Sequence, residues 1–357
     1  MGNEYTYQIG LTQQFRHCGN PFRIDSYRGC DFGCKYCFAT TKNFVVHNGE
    51  DFKEPNIEKI KKFFYKALGT DAPSKNINIE CMRHRVPLHL GGMSDPFQSR
   101  EWEHGVTYEI LKLTNQYYYP MMISTKTDSL PKKYWEILNP EIHAFQISLM
   151  GINEDYVRHF EINTPSPINR INFIKELKAK GFWVGVRIQP LISLEEALEV
   201  VKAIGDIVDY ITVEHLKISV DDKTLRPFLF NEYNNDLSLF KCTGKNYELR
   251  TDIKKSNIEK IKALAKCPIG CGDNDLHCLS DSLNCCGIDT INSNFDNWLK
   301  YNSMYINKTN NKDNWYPICN CSGCFNSTQR KKGFNFKNYV DCFIENPKPD
   351  KKINIKL

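Results

Sequence analysis

Residues 27–39 read YRGCDFGCKYCFA, which sets Cys30, Cys34 and Cys37 in a C-x3-C-x2-C run with Tyr36 directly before the last thiol. Thiols this closely grouped suit a metal site. Zinc in a structural site takes four closed ligands, and this run supplies three, so Cys18 or His47 would have to complete it. A four-iron cluster has four metal corners, so three cysteinates leave one iron open to a non-protein ligand. A redox thiol pair is the third reading of the same residues.

Around this stretch, from about residue 21 to residue 214, short apolar runs alternate with amphipathic segments. Residues 57–68, IEKIKKFFYKAL, place Ile57, Ile60, Phe63, Phe64 and Leu68 on one helical face, with Pro55 near the start. Residues 86–92, 121–125, 143–149, 182–188 and 208–214 read as buried strands. Ser166, Pro167 and Gly181 mark the ends of one intervening helix, as N-cap, first-turn proline and terminator. Ser193 and Glu196 form a capping box for another, which stops at Gly205. Alternation at this spacing implies parallel strands joined by right-handed crossovers. About six units fit before residue 220, so the fold class is α/β: a partial (β/α)6 TIM-like barrel, with chemistry at the C-terminal ends of its strands. The thiol run follows the first strand, where a cluster would face the cavity.

Past residue 220 the alternation stops and the chain turns polar, Asn-rich and irregular, with one further helix over 255–266. The expected organisation is a barrel over 1–220, an irregular Cys-rich extension over 221–345 acting as a metal-binding accessory domain, and a basic tail over 346–357. The extension holds Cys267, Cys271, Cys278, Cys285 and Cys286, then Cys319, Cys321 and Cys324, with His277 among them. These eight thiols suit a second iron–sulfur cluster or a zinc site, and buried thiols of a small core are the alternative.

The whole chain has 357 residues, 41% of them apolar, 15 cysteines and a net charge of +5. That balance permits a polyanionic partner without requiring one. Residues 1–10 lack the basic and apolar regions of a secretory signal, and no apolar run approaches the roughly 18 residues of a membrane span. A cytoplasmic location with no membrane partner is therefore expected, and clustered thiols there favour metal over disulfides. Arg83, His84, Arg85 and His89 precede a glycine pair, either touching phosphate at a cavity mouth or lining a solvated loop. Tyr117, Tyr118 and Tyr119 read as core and rim packing, and residues 329–339 mix basic and aromatic side chains as single-strand binders do.

The segment YRGCDFGCKYCF resembles the cluster loop of radical-SAM enzymes, and the segments C-terminal to it resemble the spore photoproduct lyase group, also called DNA repair photolyase-like proteins. The resemblance runs from about Phe22 to Leu216 through LGGMSDPFQ (90–98), ISTKTDSL (123–130), FQISLMG (145–151), HFEINTPSPINRI (159–171) and VGVRIQPLI (184–192), in order. It implies that Cys30, Cys34 and Cys37 hold a [4Fe-4S] cluster whose open iron binds S-adenosyl-L-methionine (SAM). It implies that Tyr36 packs on the adenine, and that Gly91 and Gly92 let backbone approach the methionyl amino group. Lys126 and Ser148 fall where the family contacts the methionine carboxylate. Glu161 and Arg170 either form a buried ion pair or reach the ribose.

The implied activity is reductive cleavage of SAM to a 5′-deoxyadenosyl radical that abstracts hydrogen from a substrate, nucleic acid being the family's example. An external donor such as flavodoxin or ferredoxin would supply the electron. The lyase proper carries a cysteine just before its Ser-Asp pair, and Gly92 stands at that place here, so the lyase's own hydrogen return does not carry over. Cys81 is the nearest other thiol. A non-catalytic zinc- or cluster-stabilised nucleic-acid-binding or redox-sensing protein is the alternative function.

Overall fold

The computed structural model describes residues 9–11, 20, 22–41, 56–74, 76–243, 246–273, 275–282 and 284–297. Its central sheet contains β1 (Gly10–Leu11), β2 (Phe22–Ile24), β3 (Leu88–Leu90), β4 (Met121–Thr125), β5 (His143–Ser148), β6 (Val184–Leu191) and β7 (Tyr210–His215). A smaller antiparallel sheet joins β8 (Ile218–Ser219), β9 (Phe240–Thr243) and β10 (Asn246–Leu249), in the order β8-β10-β9. The chain then returns to the central sheet with β11 (Ile269–Cys271), which pairs in parallel with β7. Strand order is β1 through β7 and then β11, all parallel from β2 onward, with β1 antiparallel at the edge.

This is the partial TIM-like barrel expected, with six of its parallel strands before residue 220. The seventh comes from beyond that point, so at least this part of residues 221–345 is barrel wall. Three apolar residues, Ile-Gly-Cys, carry no periodicity that marks a strand; pairing with β7 defines it.

Alternation along the strands divides the sheet into two faces. Leu88 and Leu90, Ile123, Ile147, Val186 and Ile188, and Val213 pack outward into the main core with the helices. The opposite, concave face is apolar at one end, where Met122, Ala144, Trp183 and Tyr210 meet Ile288 and Phe295. Toward the strand C-terminal ends its positions turn polar and partly exposed: Arg23, His89, Ser148, Arg187, Gln189 and Glu214, each between buried neighbours.

The helices largely begin and end where their caps predict. Ile57–Leu68 has the expected span, capped by Asn56, whose side chain accepts from Lys59 N. Pro167–Ala179 starts behind Ser166, whose hydroxyl accepts from Asn169 N, and Gly181 follows with φ 84°. The Ser193 cap of Leu194–Ile204 is present, but Glu196 does not complete a capping box. Its carboxylate turns outward to accept Ile152 N at 2.8 Å and Asn153 N at 3.0 Å, stapling the loop after β5. Two otherwise unpaired loop amides outcompete one helix-end amide for that oxygen.

Candidate active site

The loop bearing Cys30, Cys34 and Cys37 leaves the C-terminal end of β2 and is clamped from two directions. On one side, Gln98 is fully buried; it donates to Gly29 O at 3.1 Å and accepts from Asp31 N at 3.1 Å, while Ser94 Oγ donates to Tyr27 O at 2.7 Å. On the other, Lys35 N donates to Phe160 O at 2.9 Å, Asn163 N donates to Phe32 O at 3.1 Å, and Cys34 and Glu161 form an isolated antiparallel bridge. Neither Gln98 nor Asn163 is marked as functional by the sequence, because their partners lie 67 or more residues away.

The three thiols differ in burial, Cys34 being buried and Cys30 and Cys37 partly so. Burial pushes the Cys34 thiol up to about 12; Lys126 pulls it down, and Glu161 and Cys37 push it up further. Cys30 moves in the same direction, again chiefly through burial. Among the described residues no group of three or more His, Cys, Asp or Glu side chains converges to hold a single metal ion. A four-iron cluster spreads its ligands over separate corners, and three thiols on one clamped turn fit that donor set. Iron would supply the positive charge that deprotonates a buried thiol.

Glu161 and Arg170 form a fully buried ion pair at 2.6 Å. The Glu161 carboxylate also accepts from the Tyr36 hydroxyl and, at 3.2 Å, from Thr164 Oγ1. Arg170 in turn donates to Ser148 O at 2.8 Å and Pro165 O at 3.0 Å. Burial works to raise the Glu161 pKa, but Arg170 and Lys126 outweigh it and hold the carboxyl below its ordinary range. The network thus links Tyr36 in the thiol loop to the end of β5 that carries Ser148.

Lys126 follows β4, with its ammonium 5.8 Å from the centre of the Tyr36 ring. Burial acts to lower its pKa, but the nearby Cys34 and Glu161 reverse the direction and raise it. Its backbone is fixed by Asp95, which accepts Lys126 N at 2.7 Å and Thr125 Oγ1 at 2.8 Å. Gly91 has φ 90°, and a Cβ there would lie 2.2 Å from Ser124 O, so this residue must be glycine to let the loop after β3 cross the end of β4. A Cβ on Gly92 would meet the flexible Arg23 side chain at 3.3 Å and His89 Nδ1 at 3.8 Å.

The basic run before β3 is neither a cavity mouth nor a solvated loop. Arg83 is tied to Glu80 at 2.9 Å, Arg85 donates to backbone carbonyls of Tyr117 and Tyr118, and His84 is buried. They lie at the N-terminal end of the strand, where packing uses them; His89 alone faces the cavity, bonded to Ser124 Oγ at 2.8 Å. Tyr117 and Tyr119 pack against Phe64 in the core, as expected. Cys81 is fully buried in that same core.

Of the second thiol group, Cys267 packs at the edge of the main core and Cys271 faces Ile258 and Leu276. Cys278 is exposed. Cys285 and Cys286 enter the barrel: their carbonyls accept from Thr212 Oγ1 at 2.7 Å and Gln146 Nε2 at 3.1 Å. A Cβ on Gly270 would fall 2.1 Å from Cys285 O, so this segment lies directly on β11. Cys18, His47, Cys319, Cys321, Cys324, residues 329–339 and the tail 346–357 lie outside the described residues.

The backbone superposes on a single-site mutant of spore photoproduct lyase with a TM-score of 0.50 at 16% identity, covering 72% of this chain and 76% of that one. The shared fold is the partial TIM-like barrel described above. A radical S-adenosylmethionine methyltransferase, TsrM from Kitasatospora setae, aligns with a TM-score of 0.42 at 8% identity over 73% of this chain and 56% of that one. An uncharacterized protein of Mycobacterium tuberculosis is 26% identical over 179 residues. That match covers 48% of this chain, which spans about half the length of the mycobacterial proteins it matches. No family model matches the sequence. Among the described residues, no helix is long and apolar enough to cross a membrane.

Proposed function

We propose that this chain is a radical-SAM enzyme whose cluster is held by Cys30, Cys34 and Cys37. The observation that carries the reading is a clamped three-thiol turn at the C-terminal end of the first parallel strand of the barrel, beside a partly buried lysine. When bound, the cluster and SAM would supply reductive cleavage of the sulfonium to a 5′-deoxyadenosyl radical that takes hydrogen from a substrate.

The protein's share of the work is binding, orientation and exclusion of water. Lys126 offers a cation for the methionyl carboxylate in a poorly solvated site, where the attraction is stronger than in water. Ser148, partly exposed at the end of β5, offers a hydroxyl beside it. Gly92 would let the backbone approach the methionyl amino group, while Gly91 serves the crossing over the end of β4. Glu161 commits its oxygens to Tyr36, Arg170 and Thr164, so we assign it to bracing Tyr36 rather than to the ribose. The electron would come from an external flavodoxin- or ferredoxin-type donor. The resemblance to spore photoproduct lyase makes nucleic acid the first substrate class to test.

The test is anaerobic reconstitution with iron and sulfide, followed by dithionite and SAM. Release of 5′-deoxyadenosine is expected, with loss of both iron and product in Cys34→Ala. Iron-free protein, or product formation undiminished in that variant, overturns the assignment.

A further inference from the structure

Arg187 is a guanidinium on the concave face of β6, between buried Val186 and Ile188. Its Nε donates to Gln189 Oε1 at 3.0 Å, and Nη2 donates to the same oxygen. Nη1 makes a long contact of 3.4 Å to Ser124 Oγ. One N–H on each terminal nitrogen is not used by these bonds. Among the described residues no carboxylate lies within ion-pair distance of it. Glu214 is separated from it by Gln189, which donates to Glu214, and Glu214 also takes Lys217 at 3.4 Å. Neighbouring His89 adds no negative charge: burial, then Arg187 and Arg23, lower its pKa to about 3, so it is neutral near pH 7.

A guanidinium in a partly closed cavity, reached by the Glu214 carboxylate only through Gln189, is costly unless a ligand places charge against it directly. The fork is also preset: Gln189 grips one edge and leaves the other facing the cavity, the geometry that suits a two-pronged bond to an oxyanion.

The cavity is a cup. Its floor is the backbone of Cys285 and Cys286, bonded to Thr212 and Gln146. Arg187 reaches Ser124, two residues before Lys126, so the guanidinium sits about 7 Å below the Lys126 backbone at the strand rise per residue.

We propose that Arg187 anchors an anionic group of the substrate, phosphate or carboxylate, at the bottom of this cup. That the occupant is a substrate rests on the radical-SAM reading; the anion site itself does not. Its position below Lys126 separates it from the methionyl carboxylate.

The experiment titrates iron-loaded protein, without SAM, with inorganic phosphate and with malonate, and titrates SAM in parallel. At least one anion should bind wild type, more weakly as salt rises. Arg187→Gln should weaken that binding at least about tenfold and leave SAM affinity within about twofold. The ratio of phosphate to malonate affinity tells which oxyanion the fork prefers. Should Arg187→Gln fail to load iron, Gln189→Ala carries the test, with several-fold weaker anion binding expected as the fork is released. Failure of both anions to bind wild type, undiminished binding in the variant that folds, or a parallel loss of SAM affinity overturns the proposal. Loss of 5′-deoxyadenosine release with the anion response intact would instead remove the cofactor reading and leave the anion site standing.

Discussion

Asp95 accepts the backbone N–H of Lys126 at 2.7 Å, so a carboxylate after β3 sets where the lysine leaves β4. The same carboxylate accepts Thr125 Oγ1 and its own loop's Phe97 N at 3.0 Å. The Ser-Asp pair of the motif is therefore a splint between two strand ends. Ser94 extends the splint to the thiol loop through Tyr27 O.

Asp95→Asn turns an amide N–H₂ toward at least one of these donors. A loss of about 1–3 kcal/mol of stability is expected, together with weaker SAM binding by the iron-loaded protein. Denaturant unfolding and a SAM titration measure the two; wild-type values in both would remove Asp95 from this role.

The Glu161–Arg170 pair is fully buried, so breaking it leaves an uncompensated guanidinium. Glu161→Gln should cost about 3–5 kcal/mol in urea unfolding and release the Tyr36 hydroxyl from its acceptor. A loss under about 1 kcal/mol would mean that Thr164 and the Ser148 and Pro165 carbonyls suffice to satisfy Arg170.

Gly91 and Gly92 should separate cleanly. Gly91→Ala puts a Cβ 2.2 Å from Ser124 O on a backbone at φ 90°, and low soluble yield or a loss of about 3 kcal/mol or more is expected. Gly92→Ala meets a flexible arginine, with His89 in ordinary contact at 3.8 Å, and should change stability by less than about 1 kcal/mol. Equal effects in thermal unfolding would contradict the geometry.

His143 supplies a pH dependence. It is fully buried, its Nδ1 accepting Asn139 N at 2.9 Å, which leaves Nε2 to donate to Thr114 Oγ1 at 3.0 Å. Burial lowers its pKa to about 3. Between there and the ordinary histidine value of 6.5 the unfolded chain binds a proton that the folded one refuses, so stability falls as pH drops through this window and is level above it. The slope contributed is up to about 1.4 kcal/mol per pH unit. His89, shifted the same way, adds to it. His143→Asn should flatten the curve of unfolding free energy against pH, and an unaltered slope would show that this ring is protonated in the folded state.

Local signals were enough for much of this. The spacing of Cys30, Cys34 and Cys37, the Ser166 and Ser193 caps, and the apolar runs at 121–125 and 143–148 each depend on residues within a turn or a strand of one another. So does the alternation of strand and helix that implied parallel pairing. Glu196 shows the limit: its spacing from Ser193 fits a capping box, yet the acceptor went to a loop 43 residues away.

The sequence by itself determined that three thiols share one turn, that a series of parallel strands comes after it, and that Lys126 and Ser148 stand at strand ends. Only the tertiary structure decided that Glu161 belongs to Arg170, that Gln98 and Asn163 clamp the thiol loop, and that β11 completes the wall. It also brought the carbonyls of Cys285 and Cys286 onto Thr212 and Gln146 on the concave face of the sheet. The reason is range: helix caps and strand alternation are set by neighbours along the chain. A buried carboxylate or a cavity floor is set by whichever distant backbone group the packed barrel brings within about 3 Å.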